Sequence, residues 1–380
     1  MIFKGIGRFF LTICSDQLIL RQTVWAFMAL VDNKKRFAEL LIKWNNEENK
    51  RVMPWKGEKD PYKIWLSEII LQQTKVEQGL EYYNRFVKNF PDINKLAKTP
   101  DKKIFKLWEG LGYYTRCRNL IATARFIAKE KKGVFPQSYE EIISLKGVGP
   151  YTAAAISSFA FNLPHAVVDG NVYRVLSRVF GIKKPVDSTD GKKYFNELAY
   201  ELLSKKQPGI YNQAIMDFGA IICKPASPLC SACIFRKDCY AFLHNKINEL
   251  PVKHKTIIKK DRWFYYLVLE CGDEIFIRQR ISKDIWYHLH EFILFEEKKK
   301  MNKRFPLTLL KKYNITGTEF GLSGMFIQQL SHQQINAFFI TKKLNQKSQG
   351  TETGFWIKKN KLKQFAFPVI IREFLKSAKT

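Results

Sequence analysis

From Arg36 to about Leu243 apolar residues recur three and four positions apart, in segments separated by joints at Pro54, Pro61, Pro91, Pro100, Gly133, Pro136, Gly147, Pro164, Gly181 and Pro208. That spacing predicts a run of helices, because residues three and four apart share one helical face. No alternating stretch of useful length interrupts it. Beyond residue 243 the texture changes: residues 244–261 are polar and basic with one proline, as in a linker. WFYYLVLECGDEIFIRQR at 263–280 then sets two aromatic and β-branched runs about a Cys-Gly-Asp turn, which predicts a hairpin. Further strands are expected in GMFIQQLSHQQINAFFITKKL (324–344), and a closing helix in FPVIIREFLKSA (367–378). The expected architecture is multidomain, an all-helical domain over 33–243 followed by a smaller α+β domain over 262–380. No internal repeat is present.

Residues 1–32 fit neither domain. They are apolar and basic, but Arg8, Asp16 and Arg21 break the run below the roughly 18 uncharged residues of a membrane span. Met28 offers an alternative start, so this stretch is set aside as an extension of unknown status. No membrane association is expected.

Composition narrows the partner. With 46% hydrophobic and 14% aromatic residues among 380, there is ample material for packed cores. The formal net charge is +29, and it is spread along the chain: residues 251–380 carry 25 Lys and Arg against 11 Asp and Glu, and residues 1–250 carry 39 against 24. Such a field favours polyanions, nucleic acid ahead of an anionic membrane surface. The plainer account, lysines kept for solubility, competes with it. Four of the seven cysteines fall within seventeen residues, which in a large basic chain points to metal ligation in a reducing, intracellular compartment.

Four local patterns carry candidate chemistry. In LKGVGPYTAAA, Gly147 and Gly149 permit a tight turn into a helix whose first N–H groups face outward, and Lys146 stands beside them. That suits a DNA phosphate, although a simple inter-helix turn has the same sequence. Cys223, Cys230, Cys233 and Cys239 form a C-x6-C-x2-C-x5-C cluster, which spacing alone leaves open between zinc and an iron–sulfur centre. Arg236 and Lys237 in its last loop would be held toward phosphate. Glu68 lies among Ile64, Trp65, Ile69 and Leu71, where desolvation would raise its pKa and make it a general acid. Asp169 precedes a helical run beginning near Asn171, so it is both a natural cap and a carboxylate favoured in its ionised form. A neutral acid beside an ionised carboxylate is the division of labour that breaks glycosidic bonds.

Taken together, LSEIILQQT, WEGLGYYTRCRNL, LKGVGPYTAA, VVDGNVYRV, NQAIMDFGAIIC and the cysteine spacing resemble the adenine DNA glycosylase (MutY) family, in register from about Val52 to Cys239. The resemblance implies a helix-hairpin-helix glycosylase domain with a [4Fe–4S] cluster on the four cysteines. It implies excision of adenine opposite 8-oxoguanine or guanine in double-stranded DNA, by a monomer acting on the nucleoid in the cytoplasm. Glu68 would protonate the departing base, Asp169 stabilise the sugar cation, and Asn171 and Tyr151 orient the site. Related endonuclease III-like enzymes carry a lysine where Tyr151 stands, and a phenol cannot form their imine, so a monofunctional glycosylase is expected. Gln73, Thr74 and Tyr113 match residues that meet DNA beside the mispair. The C-terminal region resembles the family's Nudix-like domain that reads 8-oxoguanine, through DIWYHLHEF and LSHQQINAFF, with Ser331 and His332 on the reading loop and Leu330 where an aromatic is usual. A REUxEE box is missing, so no nucleotide pyrophosphatase activity is expected. The rival readings are an endonuclease III-like pyrimidine glycosylase with lyase activity, and a catalytically silent iron–sulfur sensor of damage.

Overall fold

The computed structural model describes residues 35–254, 259–301, 315, 319–347 and 353–378; the extension at 1–32 lies outside the described residues. In chain order the helices are α1 (35–47), α2 (Pro61–Leu71), α3 (Val76–Asn89), α4 (Ile93–Lys98), α5 (Asp101–Trp108), α6 (Tyr114–Glu130), α7 (Tyr139–Ile143), α8 (Pro150–Phe161), α9 (Gly170–Phe180), α10 (Thr189–Leu202), α11 (Pro208–Ile221), α12 (Tyr240–Leu243) and α13 (Val369–Ser377). The strands are β1 (Lys260–Cys271), β2 (Glu274–Gln279), β3 (His290–Glu291), β4 (Ile293–Glu297), β5 (Gly321–Leu322), β6 (Phe326–Gln329), β7 (Gln333–Lys343) and β8 (Phe355–Lys358). Helices before residue 244 and strands after it follow the periodicity. The chain divides into two compact units, Met1–Glu68 with Phe135–Lys255, and Ile69–Val134 with Thr256–Thr380. The division falls inside α2, directly after Glu68.

The first unit is helical. Its core joins Phe37, Leu41 and Trp44 of α1 to Val172, Val175 and Leu176 of α9 and to Tyr211, Ala214 and Phe218 of α11. Phe235 enters this core from the cysteine loop, stacked 4.6 Å from Phe37 and edge-on to Phe218. Helix α9 is fixed at both ends. Asp169 caps its N-terminus and Gly181, at φ +68°, ends it in the left-handed conformation. Helices α9 and α11 approach closely at Gly219, where a Cβ would lie 2.6 Å from that of Asn171.

In the second unit α3 to α6 accompany a mixed sheet. Its path is β3-β2-β1-β7-β5, with β4 also paired to β1, β6 to β7 and β8 to β2. Strands β1 and β7 run parallel from Lys260 opposite Gln333 to Glu270 opposite Lys343. The β1–β2 turn is the Cys-Gly-Asp turn of the sequence, with Cys271 opposite Glu274. Six consecutive residues of β1 are buried, as expected of a strand covered on both faces. One face packs on α13, where Phe339 and Phe374 stack at 4.0 Å. The other gathers Tyr265, Leu267, Phe276, Ile293 and Ile340. Two polar bonds join α5 and its C-terminal end to the segment before α13: Lys106 Nζ donates to the Phe365 carbonyl at 3.0 Å, and Glu109 accepts from Phe367 N at 2.9 Å. Among the described residues no helix is long and apolar enough to cross a membrane.

Phe339 also stacks on Tyr266 and meets Phe292 and Phe326 edge-on. Phe339→Ala should therefore cost about 3–5 kcal/mol, the usual penalty for emptying a buried aromatic site. Chemical denaturation followed by near-ultraviolet circular dichroism measures it.

Candidate active site

Helix α2 buries Glu68 to 8% exposure between Trp65 and Ile69. Desolvation raises its pKa to about 7, the nearby charge of Asp169 pushes the same way, and a hydrogen bond from the Tyr151 hydroxyl opposes them. Tyr151 sits on the first turn of α8, with its hydroxyl also 3.4 Å from the Met216 sulfur. Burial and the two carboxyl groups hold this phenol well above its ordinary pKa, so it stays a donor.

Asp169 is differently placed. Its carboxylate accepts from the backbone N–H groups of Asn171 and Val172 and from Asn171 Nδ2, each at 2.8 Å. Burial outweighs these donors and moves its pKa upward, contrary to what the helix end alone would do, while the donors and Arg174 restrain the rise. Asn171 Oδ1 in turn accepts from Arg174 Nη2 at 2.8 Å. The same guanidinium donates to the carbonyls of Gly219 and Cys223, both at 2.7 Å. Asn171 is thereby fixed in one orientation, amide toward Asp169.

Residue-by-residue reading of the sequence missed Asp217, although it lies in the quoted stretch NQAIMDFGAIIC. Its side chain is fully buried on α11, next to Met216, and accepts from Arg51 Nη1 and Asn49 Nδ2 at 2.8 Å, with Lys56 Nζ at 3.2 Å. A buried carboxylate flanked by two cations presents acceptor and donor groups side by side.

The four cysteines line one cavity with Val179, Phe218, Ile222, Leu229 and Ile247. Arg178, 3% exposed, closes it: Nη1 approaches Cys223 Sγ at 3.6 Å, and the other N–H groups hold the carbonyls of Lys224, Pro225, Ile247 and Leu250. Burial pushes the thiols of Cys230, Cys233 and Cys239 upward, Cys233 to about 12, and their mutual proximity adds to it. A cationic centre would reverse that penalty. Among the described residues no three His, Cys, Asp or Glu side chains converge on a single metal ion. Arg236 and Lys237 are exposed on the loop.

The glycine seam joins α7 to α8. Leu145 and Val148 are buried, and Lys146, Gly147 and Gly149 face solvent. Gly147 has φ +82°, a conformation that a side chain would strain.

The remaining sequence-predicted residues belong to the second unit. Gln73 and Tyr113 both adopt positive φ, +54° and +47°, at the ends of α2 and α6. One buried arginine organises them. Arg116 donates to the carbonyls of Ile69 and Ile70 at 2.9 and 2.7 Å, closing α2, and to Thr74 Oγ1 at 3.2 Å; its guanidinium lies 5.3 Å from the rings of both Trp108 and Tyr113. The Tyr113 hydroxyl is hydrogen-bonded to Ser331 Oγ. Both residues, with Leu330 and His332, line a cavity of about 700 Å³.

Both regions of the chain are similar to known proteins. Residues 66–203 match the HhH-GPD superfamily of base excision DNA repair proteins, and residues 264–377 match the NUDIX domain. An adenine DNA glycosylase of Buchnera aphidicola subsp. Baizongia pistaciae is 36% identical over 302 residues, covering 78% of this chain and 83% of that protein. The mouse adenine DNA glycosylase is 40% identical over 215 residues, 54% of this chain and 42% of that protein. Among solved structures, a thermostable thymine-DNA glycosylase is 31% identical with a TM-score of 0.53, covering 57% of this chain and 99% of that one.

Because Gly219 touches Asn171, Gly219→Ala should displace the amide from Asp169. The expected result is excision slowed roughly tenfold to a hundredfold, the scale set by small misplacements of catalytic groups. Single-turnover kinetics at saturating enzyme check this, with circular dichroism expected to show the helical content retained.

Proposed function

The chain belongs to the adenine DNA glycosylase family, and from that premise we propose which mispair it serves and how each residue acts. It is a base-excision repair enzyme that hydrolyses the N-glycosyl bond of adenine in DNA. The observation that carries the mechanism is the contrast between buried Glu68 and partly buried Asp169.

Glu68, with one phenol for company and a pKa of about 7, serves as the acid. It protonates adenine extruded from the stack. The bond from the base to the sugar C1′ breaks with its electron pair leaving on the base. Positive charge develops on the sugar, and Asp169, an acceptor of three N–H bonds, is the group that stabilises it. Water then adds to C1′, its released proton returning to the Glu68 carboxylate, and an abasic site remains. Tyr151 holds Glu68 in place and has no amine with which to cut the strand, so the enzyme is monofunctional. Arg51 and Lys56, partly exposed and held in place by the fully buried Asp217, suit the acceptor nitrogens of adenine.

The base opposite adenine is 8-oxoguanine, with guanine the weaker alternative. Support comes from the second unit, where the polar loop at Ser331 and His332 lines the same cavity as Tyr113, and where Gln73 and Thr74 stand on the same unit. Cys223, Cys230, Cys233 and Cys239 would hold a [4Fe–4S] cluster. When bound, it supplies a rigid core for the loop that carries Arg236 and Lys237 to DNA phosphate. The hairpin at Lys146, Gly147 and Gly149 offers a second phosphate contact. The protein acts as a monomer on DNA inside the cell, at the nucleoid.

The test is a single-turnover assay on a duplex with adenine opposite 8-oxoguanine, read with and without hot alkali. Strand breaks only after alkali are expected. Breaks without alkali would overturn monofunctional chemistry and favour a lyase. Binding with no breaks in either sample would favour a silent sensor. The rate should fall as pH rises through about 7, because Glu68 acts in its protonated form below that value and loses the proton above it. Glu68→Gln should lower the rate by about 10²–10⁴-fold, the usual contribution of a general acid, and remove that pH limb. A limb that persists in this variant would assign the proton to another group.

A further inference from the structure

The cavity beside Tyr113 has a wall that the functional reading above leaves unexplained. Residues 283–287, the loop between β2 and β3, line it opposite the segment that begins α6. In this loop Trp286 and His288 have φ of +62° and +72°, so two residues with side chains flank Tyr287 in the left-handed region. Backbone of that kind persists only when its surroundings hold it. Arg280 holds the strand side: its Nε donates to Ile285 O at 2.8 Å, and its own carbonyl accepts from His288 N at 2.9 Å. Arg118 holds the other. It donates from Nη1 to the Tyr287 carbonyl at 3.0 Å and from Nη2 to Thr115 Oγ1 at 2.7 Å, with its guanidinium 5.0 Å from the Tyr287 ring.

We propose that Arg118 is a positioning residue for recognition of the base opposite adenine, one that fixes the 283–288 loop against the start of α6 so that the cavity is formed before DNA arrives. This rests on the reading of Ser331 and His332 given above. Tyr113, Thr115 and Arg118 lie within six consecutive residues, Tyr113 at the N-cap of α6 and the other two in its first turn and a half. A base entering beside Tyr113 and Ser331 therefore meets a wall whose position Arg118 sets. Preorganisation of that kind changes affinity and discrimination, because the ordering cost is met within the free protein. It leaves the protonation of adenine by Glu68 untouched.

The experiment uses the full chain and a duplex carrying a non-hydrolysable adenine analogue opposite either 8-oxoguanine or guanine. Arg118→Met keeps the length and removes both hydrogen bonds. It should reduce the preference for 8-oxoguanine over guanine in binding by about tenfold, the scale of one charge-assisted hydrogen bond. The single-turnover rate at saturating enzyme on adenine opposite 8-oxoguanine should stay within about twofold, as expected where ground-state and transition-state binding are lost together. Arg118→Lys, which can still reach the Tyr287 carbonyl, should recover most of the preference. Hydrogen exchange in residues 283–289 of the free protein should quicken in Arg118→Met. Unchanged preference, a saturated rate that falls in step with binding, or a lysine variant indistinguishable from methionine would each overturn the proposal. A wild-type protein with no preference for 8-oxoguanine would overturn instead the reading of Ser331 and His332; unchanged hydrogen exchange in Arg118→Met would then still overturn the clamp.

Discussion

The withdrawal of Glu68 from water is the constraint around which the first unit is organised. A carboxyl group in an apolar helix face resists ionisation, and the site keeps it so by giving it one phenol and no cation. Asp169 faces the same low dielectric but has three N–H donors, with Arg174 behind them. Hydrogen bonding, together with the deeper burial of Glu68, sets the two groups apart. It also explains the first-turn position of Tyr151: a residue there reaches Glu68 with a neutral donor, whereas a cation in its place would draw the proton off the acid.

Buried arginines supply most of the remaining order. Arg174 and Arg178, one turn apart on α9, face the cysteine loop, and between them hold carbonyls from residues 219 to 250. Arg116 performs the same task for the end of α2 and for Thr74. In each case a planar fork of donors satisfies several carbonyls that irregular chain would leave unpaired, which a single-point ammonium could not do. The carbonyls so satisfied lie near helix ends and in the loops that follow them.

Much of this was legible in the sequence, and the limits have physical causes. Helix and strand followed from the spacing and type of the apolar residues: helices such as α3 bury one face through Tyr83 and Phe86, and β1 carries an unbroken aromatic and aliphatic run covered on both faces. The isolated carboxyl at Glu68 was legible because Ile64, Trp65, Ile69 and Leu71 surround it and no Lys or Arg lies within one helical turn. Asp217 was not, since the cations that partner it, Arg51 and Lys56, are more than 160 positions away in sequence, and no local pattern encodes a contact of that range. The net direction of the Asp169 shift was also hidden: a helix cap announces its donors, but the burial that opposes them is a property of the whole fold. Left-handed backbone at Trp286 and His288 was not legible, because bulky residues such as tryptophan rarely adopt it and histidine, though enriched there, is far more often found elsewhere.

The division of the chain bears on how such an enzyme can separate chemistry from recognition. Glu68, Tyr151, Asp169, Asn171 and the cysteine loop all fall in one unit, and Gln73, Thr74, Tyr113, Ser331 and His332 in the other. The boundary passes through α2, so only four residues, the last turn of that helix and the residue after it, separate the acid from Gln73. Resemblance to a thymine-DNA glycosylase extends over 57% of this chain, less than the two domains together occupy. A helical scaffold of this kind therefore does not dictate which base is removed. In the proposed assignment, selectivity for adenine lies with side chains of the helical unit and selectivity for the opposite base with residues that the strand-rich region adds. Substitutions in one set can then alter what is cut while those in the other alter where, and the two effects are separable in measurements of rate at saturation and of binding.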